Sequence, residues 1–235
     1  MRNPIFLLIA LLFIINACNQ PVEQANKIMP KDRMDSISYI MGYDYGQGIR
    51  SQEIEANPLL VYKGLYDALK KDRGLFDDTV QNRLIDEFTA ELEILEQKRF
   101  KITLEKNLQE GEAFLRENKT KEGVFELPSG LQYKVLKLGD GAYPAPTDSV
   151  TIHYRAMYID RTTFDMSYDE GPAGIRLDHL VKGLAEGIQL MQPGAIFEFY
   201  IPSRIAYGDR NYLDMIPAGS TVIYSVELIA INKSK

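Results

Sequence analysis

The chain has no tryptophan, only two histidines and a single cysteine, Cys18, in 235 residues. One cysteine excludes an intrachain disulfide framework. Two histidines with one thiol leave no cluster at metal-ligand spacing, so no metal centre is expected. A basic face is missing as well: 27 Lys and Arg stand against 33 Asp and Glu, a formal net charge of −6. That balance speaks against nucleic acid as a partner. No apolar run approaches the roughly 20 residues that cross a bilayer as a helix. What remains is an ordinary folding composition, 45% hydrophobic and 26% charged, long enough for one large domain or two small ones.

The lone cysteine sits in an informative place. Arg2 precedes an apolar stretch over 5–15, and Ile15-Asn16-Ala17-Cys18 follows. A positive residue, a short apolar core and a small residue before the cut make a secretory signal. The last four residues resemble a lipobox, with Cys18 as the acylated residue. Residues 1–17 are therefore expected to be a lipoprotein signal peptide, and acyl chains on Cys18 would tether the protein to a membrane without spanning it. Residues 18–31 are polar and aperiodic, as a flexible tether is.

Three helical segments follow. Ile37, Ile40, Met41, Tyr45 and Ile49 recur at helical spacing over 35–51. Gly42 and Gly46 lie one turn apart there, and each lowers helix propensity by about 1 kcal/mol. Close approach of another helix would compensate. Asn57-Pro58 opens a second helix, with Leu59, Tyr62, Tyr66 and Leu69 as its stripe and Gly74 as its end. A third starts at Asp77-Asp78-Thr79 and carries Val80, Leu84, Phe88, Leu92 and Leu95 on one face. At roughly 35 to 40 residues it would be roughly 55 Å long. Its first half is expected to be packed and its charged second half to be a solvated strut between two bodies.

After Gly123 the period changes to alternation. Strands are expected around 131–136, 150–156, 196–201 and 221–231. Turn signals lie between them, among them Gln192-Pro193-Gly194 and Pro217-Ala218-Gly219. One short helix fits 179–191. The pattern predicts an α+β fold: an antiparallel sheet wrapped on one short helix, preceded by an all-α N-terminal domain with a long stalk helix.

Several pieces of this region are recognisable in order. Pro128-Ser129-Gly130-Leu131-Gln132-Tyr133, Val150-Thr151-Ile152-His153-Tyr154 and Thr163-Phe164-Asp165-Met166-Ser167 come first. Val181-Lys182-Gly183-Leu184-Ala185-Glu186-Gly187, Ile205-Ala206-Tyr207-Gly208 and Ile216-Pro217-Ala218-Gly219-Ser220-Thr221-Val222 follow. Together they resemble the FKBP-type peptidyl-prolyl cis-trans isomerases. Asp35-Ser36-Ile37-Ser38-Tyr39-Ile40-Met41-Gly42-Tyr43 is similar to the helical dimerisation domain preceding the catalytic domain in periplasmic and surface-exposed members of that family. The resemblance implies a helical dimerisation domain and stalk at 32–122 and a catalytic domain at 123–235.

The implied reaction is rotation about the bond preceding a proline, against a barrier of about 18–20 kcal/mol. No bond breaks, so no cofactor, metal or nucleophile is needed. By resemblance, Tyr154, Phe164, Val181, Leu184 and Tyr224 form the walls and floor of an apolar pocket. Tyr207 donates its hydroxyl to a substrate carbonyl, the Val181 amide binds another, and Asp165 orients the site through Tyr154. Tyr212 and Ile216 sit on a flap. His153 and His179 are expected to be ordinary, partly exposed residues. The chain departs from the family in three places. Leu184 replaces the usual tryptophan floor, Tyr224 the usual phenylalanine, and Ala173 an aromatic near the rim.

The expected function is acceleration of folding of exported, proline-containing polypeptides. The alternative is a dimeric extracytoplasmic chaperone or binding module with weak isomerase activity. A homodimer through the N-terminal helices is expected. So is a lipid-anchored location in the cell envelope, at the outer membrane by analogy with proteobacterial sorting.

Overall fold

The computed structural model describes residues 27–71, 73–213 and 215–232. Cys18 and the expected signal peptide lie outside them, as does most of the expected tether. The chain divides into two compact units, one ending at Asp86 and one starting at Glu87.

Three helices come first: α1 (Arg33–Ser51), α2 (Pro58–Lys70) and α3 (Asp78–Asn118). Each begins on a side-chain cap. Asp32 accepts from the Asp35 amide at 2.8 Å, Asn57 from the Leu59 amide at 3.0 Å and Asp77 from the Val80 amide at 2.9 Å. These bonds satisfy N–H groups that a first turn leaves unpaired. α2 ends at Lys70, ahead of Gly74. α1 buries none of its residues, and α2 buries only Asp67. The Asp67 carboxylate lies between Lys63 at 2.7 Å and Lys71 at 2.8 Å. The close approach that would compensate for Gly42 and Gly46 is not supplied by the described residues: among them, nothing lies within 4 Å of where a Cβ would sit at either.

α3 reverses the expectation for its two halves. Leu84, Phe88 and Leu95 of its first-half stripe are exposed, while its buried residues are Gly111 and Asn118. The second half is docked onto a sheet, not solvated.

That sheet is antiparallel and has seven strands: β1 (Val124–Glu126), β2 (Gln132–Lys137), β3 (Ser149–Tyr158), β4 (Thr163–Met166), β5 (Ala173–Arg176), β6 (Ile196–Ile201) and β7 (Val222–Asn232). The spatial order is β1-β2-β6-β7-β3-β4, with β5 also paired to β3. Against one face lies α4 (Lys182–Ile188), shorter than the expected 179–191. Val150, Ile152, Phe199, Val226 and Leu228 from the sheet meet Leu184 and Ile188 from α4. Burying each such side chain contributes about 1.5–3 kcal/mol. Gly187 permits this approach, since a Cβ there would stand 2.5 Å from the Phe199 ring.

The other face carries Met157, Tyr200 and Ile223, with Phe114 and Leu115 of α3 packed on them. Polar contacts complete the seam. Asn107 Nδ2 donates to the Ala218 carbonyl at 2.8 Å, and Asn118 Nδ2 to Gln132 Oε1 at 3.0 Å. Gln132 Nε2 donates to the Leu115 carbonyl and to Glu126 Oε2, each at 2.9 Å. The sheet is therefore covered by helix on both faces, where the sequence pattern suggested one helix. Among the described residues no helix is long and apolar enough to cross a membrane.

Candidate active site

A pocket of about 360 Å³ opens beside the N-terminus of α4. Strand pairing sets one wall. Register between β3 and β4 runs Arg155↔Met166, Ala156↔Asp165, then Met157↔Thr163. Phe164 is thus the extra residue of a bulge, and a bulge re-aims the side chains around it. Asp165 comes to lie on the same side as Tyr154, whose hydroxyl donates to Asp165 Oδ2 at 2.8 Å. Phe164 packs edge-on against Tyr224, ring centroids 6.4 Å apart, and against Tyr158 at 4.9 Å.

The loop after β6 supplies the opposite wall. A turn at Ser203–Ile205 accepts the Ala206 and Gly208 amides on the Ser203 carbonyl, at 2.9 and 2.8 Å. The Gly208 carbonyl in turn accepts the Gly219 amide at 2.9 Å. Gly208 sits at φ +71°, a conformation that suits glycine. Held at both ends, Tyr207 faces Tyr224 with their hydroxyls 2.7 Å apart. Tyr212 covers the Tyr207 ring at 4.7 Å. Its backbone pairs with Ile216 in both directions, at 2.9 and 3.0 Å.

Tyr154, Asp165, Val181, Leu184, Tyr207, Tyr212 and Tyr224 all line the pocket. Phe164 and Ile216 do not. Phe164 backs Tyr224, and Ile216 is buried in the core beneath the flap. The structure adds Ile152, Ile175, His179 and Leu180 to the lining. Ile152 shares the alternating face of Tyr154, so the strand pattern carried that signal. Ile175 lies on a four-residue strand too short to show alternation. His179 stands at the rim with a largely exposed ring.

The electrostatics keep the phenols neutral. Burial, followed by the bond to Asp165, pushes Tyr154 up to about 12. Burial also raises Tyr207 and, more strongly, Tyr224. The pocket therefore offers apolar walls, uncharged hydroxyl donors and one carboxylate. That set suits binding and turning an amide better than cleaving one.

Comparison with known proteins agrees with this geometry. Residues 141–229 match the family model described as FKBP-type peptidyl-prolyl cis-trans isomerase. Residues 34–135 match the domain amino terminal to FKBP-type peptidyl-prolyl isomerase. The outer membrane protein MIP of Legionella longbeachae is 34% identical over 201 residues, covering 85% of this chain and 86% of that protein. The FKBP-type 22 kDa peptidyl-prolyl cis-trans isomerase of Escherichia coli K12 is 35% identical over 196 residues, 83% of this chain and 93% of that one. The crystal structure of FkpA from Escherichia coli superposes with a TM-score of 0.70 at 26% identity, over 88% of this chain and 100% of that chain. With both segments matched in order along one chain, the protein belongs to the FKBP-type peptidyl-prolyl cis-trans isomerases.

Proposed function

We propose that this isomerase works outside the cytoplasm, tethered by lipid at Cys18, and turns X–Pro bonds of exported polypeptides in the pocket between Tyr154 and Tyr207. The observation that carries this reading is the pairing of dry walls with fixed hydroxyls. Amide resonance depends on charge separation, which water stabilises. An apolar pocket weakens the resonance and so favours the twisted bond. In the proposed arrangement the proline ring rests against Leu184, Val181 and Tyr224, backed by Phe164. Tyr207 donates to one substrate carbonyl and the Val181 amide to another. Asp165 fixes Tyr154 and presents its remaining lone pairs to the rotating group. Tyr212, on a loop rooted at buried Ile216, closes over the bound chain. Titrating a proline peptide into isotope-labelled protein tests this assignment. The Val181 amide and the Tyr154 and Tyr207 rings shift if it holds, and unmoved signals there contradict it.

Residues 32–122 are proposed to serve as dimerisation module and stalk, and 123–235 as the catalytic domain. Support for a homodimer comes from α1 and α2. Tyr39 and Met41 on α1 and Tyr62 and Leu69 on α2 are each more than half exposed. A helix that buries nothing has little to hold it in water. A groove of about 690 Å³ runs along Gly42, Tyr43, Gly46 and Arg50. A second copy of this chain would fill that groove and cover the tyrosines. Acylation at Cys18 is tested by labelling cells with an acyl-chain probe, and outer-membrane location by separating the membranes of the labelled cells. Label should enter the wild type and be absent from Cys18→Ser.

A further inference from the structure

Tyr224 brings a hydroxyl to a place where the family usually keeps a plain phenyl ring, and a buried hydroxyl needs a partner. Its ring projects from the central strand β7, in register with Ala156 on one side and Phe199 on the other. Phe164 meets it edge-on and Tyr154 lies tilted at 6.2 Å. Only 5% of the residue is exposed, so the ring has no room to swing. Tyr207, by contrast, stands on a loop.

The single hydrogen bond of the Tyr224 hydroxyl among the described residues is to Tyr207, at 2.7 Å. Two hydroxyls share that bond, and only one proton can lie in it. If Tyr207 gave its proton to Tyr224, the proton of Tyr224 would be left inside the pocket with no acceptor. If Tyr224 donates, it is satisfied, and the Tyr207 proton is free for another oxygen. The second arrangement leaves no buried donor unpaired.

We infer that Tyr224 is a positioning residue for the isomerase. Its hydroxyl donates to Tyr207, pins that loop tyrosine to the central strand, and so leaves the Tyr207 O–H as a ready donor to the substrate carbonyl. The inference rests on the proposed role of Tyr207 and adds a second hydroxyl behind it. It also gives the pocket a polar edge that a phenylalanine would not.

A double-mutant cycle on the full chain tests it, using a short Xaa-Pro peptide and the variants Tyr207→Phe, Tyr224→Phe and the pair. Tyr224→Phe should lower kcat/KM roughly threefold to tenfold, the worth of one hydrogen bond, with the fold retained at the assay temperature. In the Tyr207→Phe background it should cost nothing more. Tyr224→Met, a second variant without the hydroxyl, should show the same dependence on Tyr207 if the phenylalanine form folds poorly. A loss in Tyr207→Phe with none in Tyr224→Phe overturns the positioning role and leaves the donor role of Tyr207 standing. Independent, multiplying losses also overturn it, because they mark packing instead of coupling. No loss in Tyr207→Phe overturns both.

Discussion

The polar residues of the pocket are mostly tyrosines, and buried phenols, there and on the other face of the sheet, give the molecule a defined response to alkali. Tyr154 in β3 and Tyr200 in β6 are each pushed up to about 12, first by burial and then by their carboxylate partners Asp165 and Glu198. A folded-state value above the unfolded one means the folded protein holds protons that the unfolded chain has lost. That stability is fully present below about pH 10, the ordinary tyrosine value, and disappears as pH rises through about 12. Denaturant midpoints should therefore be level from neutrality to about pH 10 and fall beyond it. The combined variant Tyr154→Phe, Tyr200→Phe should fall less steeply over that range. An equal slope in wild type and variant would show that these phenols do not set the alkaline limit. At this scale the ordered motifs supplied Tyr154, Asp165, Val181, Leu184 and Tyr207, which line one pocket together with Tyr224, while Phe164 and Ile216 from the same motifs lie outside its lining. The sequence was silent where geometry decides. The bulge at Phe164 depends on pairing between β3 and β4, and the Tyr207–Tyr224 bond on a loop and a strand meeting in space.

Among the elements, the helix starts were legible and the helix contacts were not. Asn57 and Asp77 announce α2 and α3 because capping is local chemistry, written within three residues of the start. The second half of α3 read as solvated because its apolar stripe thins. Its anchorage uses Asn107, Gly111 and Asn118, residues to which an apolar period is blind. Gly111 is there because any Cβ would overlap the Thr221 side chain. Strands β1 and β5, of three and four residues, are too short for alternation to show. The docked helix has a measurable consequence. Asn118→Ala would strip Gln132 Oε1 of its donor inside a buried seam, and should destabilise the second unit by about 1–3 kcal/mol. Chemical denaturation should show a lower midpoint at unchanged slope. A midpoint within error of wild type would mean that the seam contributes nothing.

On the scale of the whole molecule, ordered motifs over about half the chain implied an α+β catalytic domain behind a helical one, and the comparisons bear out that family and fold. The assembly is proposed from the bare faces of α1 and α2. Sedimentation of the mature protein at micromolar concentration should give a dimer, and Met41→Asp on the exposed face of α1 should give monomers. A wild-type monomer at that concentration would contradict the assembly.

The central claim is that rotation of the X–Pro bond takes place in the pocket that joins Asp165 to Tyr154. The most direct measurement is the cis-to-trans rate of a short Xaa-Pro peptide with wild-type protein and with Asp165→Ala. Wild type should accelerate the reaction, and the variant should lose roughly tenfold or more of that acceleration while keeping its fold. Equal acceleration by both proteins would place the catalysis elsewhere on the molecule.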